Sequence, residues 1–247
     1  VPGAIEAAQR KNGYTRGAFE WLRKAPWGNP AFSGMFLSLV MFGFLGGISG
    51  VVMGTEQINI IIHNTLYVPG HFHGTVVAGT TLAFMAMTYL LIPLIFQREI
   101  RFPRLAKWQP YLFGMGVAGI SLFMMGAGTL GVSRRHWDIT FADSALDFSY
   151  PEAAFLMLAL NGLSAIAAAL GGLMYIVIVV GSVFFGRKVE GKIPLAAPSG
   201  PPAVATYGSS DTLRVPGTAV LVGVFFLAFV LYYFVNWKYL SDIWPMR

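Results

Sequence analysis

The chain alternates long apolar segments with short polar ones. Five segments are apolar over about 20 residues, the length that a helix needs to cross a bilayer. They lie near residues 33–56, 72–96, 109–131, 153–186 and 216–238. The fourth is longer than a perpendicular crossing needs, so we expect it to tilt or to extend beyond the bilayer. The pattern predicts an all-α integral membrane protein with about five transmembrane helices.

Two regions fall outside this pattern. In residues 1–32 basic side chains alternate with Phe, Trp and Leu, which is typical of an interfacial amphipathic segment. Residues 33–247 would then form one five-span membrane domain. Within that domain the 187–215 stretch is rich in Pro, Gly and Ser and is predicted to be a flexible cytoplasmic loop.

The basic residues are distributed unevenly between the two sides of the membrane. Residues 1–32 and the 97–108 and 187–215 loops lie on one side if there are five spans, and they hold 13 of the 17 Lys and Arg residues. Because cytoplasmic loops carry the basic excess, the amino terminus is predicted to be cytoplasmic and the carboxyl terminus outside. The net charge of +6 is therefore a topology signal and predicts no nucleic-acid partner.

Composition supports the membrane class and excludes several chemistries. Hydrophobic residues make up 55% of the chain and charged residues only 11%, against about 25% charged in soluble domains. There is no cysteine, which excludes disulfides, zinc–thiolate sites and iron–sulfur clusters within this chain. The chain opens Val-Pro-Gly with no signal-peptide pattern, so we expect it to begin partway through a longer polypeptide.

Three of the four histidines lie within residues 63–73, where the chain enters the second span from the outer side. On an α-helix His71 and His73 lie about 200° apart and point to opposite flanks. Imidazole is the commonest metal ligand in proteins, so one helix could hold two separate ligands. Hydrogen-bonded packing is the simpler alternative for each histidine taken alone.

A pair of adjacent arginines, Arg134 and Arg135, lies in the other outer connection, against the charge rule that the rest of the chain obeys. One interpretation is pairing with the acidic residues of the same loop, which are Asp138, Asp143, Asp147 and Glu152. The other is that the guanidinium groups hold carboxylates of a buried anionic ligand. A ligand that binds iron at a histidine and presents carboxylates to arginines is haem.

A further pattern lies in the first span, where Gly46, Gly50 and Gly54 recur at every fourth residue. They would form a smooth helix face. Such a face allows close helix packing, or it could accommodate a flat cofactor.

These residues together resemble subunit I of the haem–copper terminal oxidases. The matching features are the eight-residue offset from His63 to His71, the His71-Phe72-His73 run and the later Arg134-Arg135 pair. The amino-acid sequence of the 63–73 stretch, together with Pro-Trp-Gly-Asn-Pro at 26–30, is most similar to the B-type branch. The chain would correspond to the carboxyl-terminal part of that subunit, its last five transmembrane helices.

The resemblance implies a role for each of these residues. His71 would be the proximal ligand of the high-spin haem iron and so the catalytic residue, and His73 an axial ligand of the low-spin haem iron. His63, Asn64, Arg134 and Arg135 would line the haem propionates. Asn59 stands where much of the family has a carboxylate, so an acidic proton-loading group there would be absent or replaced. Asn64 stands where the mitochondrial-type branch has an acid that helps to hold magnesium, so no magnesium site is predicted.

The resemblance also implies cofactors and partners that this chain cannot complete. The copper beside the high-spin haem needs three histidines, and the low-spin haem needs a second one. Only His136 is left here, so these ligands and the active-site tyrosine would come from the remaining part of subunit I. Further partners would be subunit II with its electron-entry site, the lipid bilayer, and cytochrome c, a cupredoxin or quinol as electron donor.

The implied function is oxygen reduction to water with proton pumping in a prokaryotic plasma membrane, with no activity from this chain alone. A nitric oxide reductase-like relative is one alternative, because those enzymes share the superfamily. A membrane transporter that binds a metal ion through His63, His71 and His73 is a second. A structural subunit whose histidines merely pack is a third.

Overall fold

The computed structural model describes residues 2–135, 149–190 and 215–243. Five of its helices are long and apolar enough to cross a membrane, as predicted. They are the first to fifth spans, at Pro30–Gly54, Tyr67–Phe96, Pro103–Thr129, Glu152–Phe185 and, within the helix Pro216–Ile243, Pro216–Val235. Among the described residues three shorter helices lie outside these spans, at Pro2–Lys11, Glu20–Arg23 and Glu56–Ile62.

Local sequence signals explain where the spans begin and end. Asn29 caps the first span, since its side-chain Oδ1 accepts hydrogen bonds from the Ala31 and Phe32 amides over 2.9 and 3.3 Å. Proline stands in the first turn of this span and of the third, where its missing N–H costs nothing. Gln97 ends the second span in a left-handed conformation, with φ 51°.

Close contacts through glycine bring the spans together. A Cβ added at Gly116 would lie 2.5 Å from the Ala168 amide nitrogen, and one added at Gly171 would lie 2.6 Å from that of Phe113. Both contacts join the third and fourth spans backbone to backbone. In lipid, where no hydrophobic force drives helices together, such close packing is a main source of helix association.

Two spans contain π-helical segments that pack against each other beside the histidine stretch. These are Phe42–Ile48 in the first span and His73–Thr81 in the second. A Cβ at Gly46 would lie 2.5 Å from the Thr75 side chain, and one at Gly79 would lie 2.4 Å from that of Phe42. Since π-helical segments are frequent at functional sites, this interface is a candidate scaffold for the chemistry.

Several residues considered in the sequence lie outside the described ranges. They are His136, Asp138, Asp143 and Asp147 of the outer connection, and residues 191–214, most of the Pro-rich loop.

Within the described residues the amino-terminal segment packs against the start of the fifth span. A Cβ on Gly217 would lie only 2.4 Å from Nε1 of the fully buried Trp21.

Candidate haem-binding site

The two outer connections are joined by backbone hydrogen bonds. The Leu66 amide donates to the Val132 carbonyl, and the Arg134 amide donates to the Asn64 carbonyl, both over 2.8 Å. Thr65 lies between them and accepts a hydrogen bond from the Tyr67 amide over 3.2 Å at its hydroxyl. The His63–His73 stretch and the arginine pair are therefore held together at one end of the bundle.

Asn64 and Arg134 contact each other through side chains as well. The Arg134 Nη2 donates to the Asn64 Oδ1 over 2.9 Å. Asn64 has φ 63° and Arg135 has φ 69°, so both adopt the left-handed conformation that Asn tolerates better than most residues. The Arg134 Nε is buried and makes no hydrogen bond within the described part of the chain, which leaves one guanidinium donor for another acceptor.

Of the four acidic residues in this loop, Glu152 lies within the described ranges, and it forms no ion pair with the arginines. Among the described residues the salt bridges are Glu6–Arg10 and Glu20–Lys24, and neither Arg134 nor Arg135 pairs with Glu152. The three aspartates that the sequence offers as partners lie outside the described ranges. Arg135 is exposed, whereas Arg134 is half-buried.

His71 is held against the first span. Its Nδ1 lies 2.8 Å from the Ser49 hydroxyl. A Cβ on Gly50 would lie 3.0 Å from the ring carbon Cε1, a tight contact that would require the imidazole to move by a few tenths of an ångström. Gly46 and Gly50 thus serve close packing, one against Thr75 and one against the His71 ring, while Gly54 has nothing within 4 Å.

His73 is oriented by its own helix. Its Nδ1 lies 2.7 Å from the Pro69 carbonyl. A carbonyl oxygen only accepts, so Nδ1 carries the proton and Nε2 keeps its lone pair. Metal-bound histidines are typically held in this way, with one ring nitrogen hydrogen-bonded and the other free for the metal.

The three histidines do not form one metal-ion site. Within the described residues no three His, Asp or Glu side chains come together as metal ligands. His63 is exposed at the end of the Glu56–Ile62 helix, while His71 and His73 are half-buried with separate hydrogen-bond partners. The described residues therefore fit single axial ligation of two groups and supply no three-histidine copper site.

Some of these contacts carry no signal in the sequence. Ser49, which contacts His71, precedes it by 22 residues. The Tyr150 hydroxyl accepts a hydrogen bond from the Ser133 amide over 3.2 Å, and Tyr150 follows Ser133 by 17 residues. Neither separation matches a helical or metal-ligand spacing. The glycine repeat of the first span was the available hint, because Gly46 and Gly50 flank Ser49.

The bundle and its paired histidines define a multi-pass membrane protein with two candidate iron ligands on one helix. The profile of the family described as "Cytochrome C and Quinol oxidase polypeptide I" matches residues 1–170, more than half of the chain. The chain belongs to this family, which comprises subunit I of the haem–copper oxidases.

Individual relatives agree with that assignment. The chain is similar to cytochrome c oxidase subunit 1 of Thermus thermophilus, with 35% identity over 179 residues, which cover 71% of this chain and 30% of the relative. It is also similar to quinol oxidase subunit 1 of Bacillus subtilis strain 168, with 27% identity over 144 residues, 56% of this chain and 22% of the relative. The chain thus spans less than a third of either relative.

The fold matches a solved structure as well. That structure, determined by cryo-electron microscopy, is of a haem–copper terminal oxidase dimer. It superimposes with a TM-score of 0.66 and 24% sequence identity over 92% of this chain and 39% of the other. The expected helical-bundle architecture is confirmed.

Proposed function

We propose that this chain is the haem-bearing part of the catalytic subunit of a respiratory terminal oxidase. The enzyme would reduce oxygen to water with proton pumping, using cytochrome c, a cupredoxin or quinol as donor. The chain would be the carboxyl-terminal part of a B-type subunit I, with its last five helices. It would act only with the remaining part of subunit I and with subunit II.

One observation carries the proposal beyond family membership. Two histidines on one helix have Nδ1 within hydrogen-bonding distance of an oxygen, at Ser49 for His71 and at Pro69 for His73. Each therefore has Nε2 available for iron. Residues two positions apart on a helix face different sides, which suits two separate haems.

The chain's own residues have distinct tasks in this proposal. His71 would hold the iron of the high-spin haem and His73 that of the low-spin haem. When bound, the haems and the copper supply the electron-transfer and oxygen chemistry. The protein would fix the orientation of each imidazole through these hydrogen bonds and would hold the two ligands at a constant separation on one helix.

The outer cluster would bind the haem propionates. The Arg134 Nε is a buried donor without a partner among the described residues, and Asn64 holds the same guanidinium over 2.9 Å. Guanidinium groups form strong, charge-assisted hydrogen bonds with carboxylates, so a propionate would be a suitable acceptor for the Arg134 Nε. Arg135 and His63 are exposed beside it and would contribute positive charge or hydrogen bonds.

The membrane arrangement follows the charge bias. The amino terminus would be cytoplasmic and the carboxyl terminus outside, in a prokaryotic plasma membrane. The histidines and Arg134 then lie near the outer surface. A metal transporter would need His63, His71 and His73 to converge on one ion, and among the described residues they do not.

Histidine replacement in the purified complex tests the proposal. We expect His73→Ala to remove the low-spin haem bands from the reduced-minus-oxidised spectrum. We expect His71→Ala to remove the band shift that carbon monoxide causes at the high-spin haem. Ser38→Ala is the matched control, because its hydroxyl donates to the Gly79 carbonyl of the second span and contacts neither His71 nor His73, so both iron signals should stay in place. Both haem signals surviving in both variants would contradict the proposal.

A further inference from the structure

The Ser49 side chain is buried within the first span, with 4% of its surface exposed, and it faces a histidine of the second span. Its hydroxyl lies 2.8 Å from Nδ1 of His71. Hydroxyl groups at this depth are costly unless hydrogen-bonded. Of the two candidate iron ligands, His71 has its ring hydrogen-bonded to a side chain of another helix, Ser49, whereas His73 bonds to the backbone of its own helix.

The direction of this hydrogen bond follows from its surroundings. The Ser49 hydroxyl contacts the Leu45 carbonyl and lies 3.1 Å from the Gly46 carbonyl, both one turn earlier in the same span. A hydroxyl has one proton and two lone pairs. It donates that proton to the helix backbone and accepts the Nδ1 proton of His71, so Nε2 is the nitrogen that keeps a lone pair.

The two histidines differ in what holds them. His73 bonds to the Pro69 carbonyl of its own helix, a backbone group that stays when side chains change. His71 bonds to Ser49, which belongs to the first span, and packs against Gly50 of the same span. The hydrogen bond of the His71 ring therefore joins the first and second spans, whereas that of the His73 ring lies within its own helix.

We propose that Ser49 is a positioning residue for the His71 iron ligand. It fixes the tautomer and the rotation of the imidazole, and by accepting the Nδ1 proton it raises the basicity of Nε2 toward iron. This inference rests on the proposed function, because it assigns Ser49 to the high-spin haem that His71 would hold. Ser49 acts through His71 and contacts no reacting atom.

The test is resonance Raman spectroscopy of the purified, reduced complex, in which the iron–histidine stretching band of the high-spin haem reports the ligand directly. Ser49→Ala should shift or split that band while the low-spin haem bands stay unchanged. The separate variant Ser49→Thr should show the same band as the unmodified complex, because threonine keeps the hydroxyl.

Ser38→Ala is the matched control. Ser38 is also buried in the first span, and its hydroxyl donates to the Gly79 carbonyl of the second span over 2.6 Å, without contacting His71. It should leave the iron–histidine band in place. A band that stays unchanged in Ser49→Ala, or that changes equally in Ser38→Ala, overturns the inference.

The result also separates this inference from the proposed function. If the unmodified complex shows no iron–histidine band, or if His71→Ala keeps it, the proposed function fails. If the band is present and depends on His71 but not on Ser49, only the positioning role fails. A Ser49→Ala variant that loses the haem entirely supports the role only when Ser49→Thr retains it, and contradicts the role when both lose it.

Discussion

Glu6 offers the sharpest test of how the amino-terminal segment holds the bundle together. Its side chain is fully buried, and its carboxylate caps the start of the fifth span. The Gly217 and Thr218 amides donate to it over 2.9 and 2.6 Å, and the Thr218 hydroxyl over 2.7 Å. Arg10 adds an ion pair at 2.7 Å. We predict that Glu6→Gln releases the fifth span from the bundle.

The expected size of the effect comes from these contacts. Hydrogen bonds to a charged group contribute about 1.5–3 kcal/mol each, and breaking a buried ion pair costs about 3–5 kcal/mol. A glutamine keeps one acceptor oxygen but loses the charge at the positive end of the helix. We therefore expect a loss of about 3 kcal/mol, or on the order of 100-fold in the equilibrium between docked and released helix.

Cysteine cross-linking measures this equilibrium. The chain contains no cysteine, so Phe44→Cys with Phe225→Cys introduces a single pair of thiols into it, at the point where two rings now meet edge to face with their centroids 4.9 Å apart. A short bifunctional thiol reagent can join the two thiols, and its cross-linking yield in the assembled complex should fall several-fold when Glu6→Gln is added. Equal yields with and without Glu6→Gln would refute the reasoning.

The matched control is Glu20→Gln. Glu20 pairs with Lys24 four residues later, and hydrogen bonds from Lys24 and from the Arg16 and Gly17 amides lower the pKa of the Glu20 carboxyl to about 2. Both side chains are well exposed, however, so solvent screens the pair. This variant should leave the cross-linking yield unchanged.

The same contact predicts a pH dependence. Burial raises the pKa of the Glu6 carboxyl, but hydrogen bonds from Thr218, Arg10 and Gly217 outweigh it and hold that pKa below its ordinary value of 4.5. A carboxyl whose pKa falls on folding stabilises the protein fully above that ordinary value. Thiol reactivity itself varies with pH, so the measured quantity is the yield with Glu6 divided by the yield with Glu6→Gln at each pH. This ratio should be constant above pH 4.5 and should decrease as the pH falls through the lowered pKa.

Two further predictions concern packing within the membrane. Gly128→Ala should destabilise the bundle by about 1–3 kcal/mol or more in a thermal denaturation assay, because the added Cβ would lie 2.0 Å from the Tyr67 amide nitrogen. Gly162→Ala, whose added Cβ would have nothing within 4 Å, should be neutral or stabilising in that assay. Gln109→Leu should cost about 1–3 kcal/mol, since it leaves the buried Tyr89 hydroxyl without its 2.9 Å partner. Adding Tyr89→Phe should recover much of that loss, and a double variant as unstable as Gln109→Leu alone would refute the pairing.

The spans could be predicted from the sequence because a bilayer imposes a simple rule. Only an apolar helix of about 20 residues satisfies its backbone and crosses the hydrocarbon core. The starts were less accurate, since the second span begins at Tyr67 and the third at Pro103, several residues before the apolar runs that predict them. A helix can continue beyond the hydrocarbon core into the headgroup layer, where its side chains can be polar. The apolar run is then shorter than the helix and does not mark its first residue.

The candidate site was predictable in part for a related reason. His71 and His73 share one helix, so their separation can be read from local geometry. The contacts of Ser49 with His71 and of Glu6 with Thr218 join residues 22 and 212 positions apart. Such pairs depend on how the spans pack, and no local spacing encodes them.

A cryo-electron microscopy map of the assembled complex would show directly what His71 and His73 bind. We expect two separate haems, with iron bonded to Nε2 of His71 in one and to Nε2 of His73 in the other. We also expect a propionate at the buried Arg134 guanidinium. A map with a single metal ion shared by these histidines, or with neither ring bonded to iron, would contradict the proposed function.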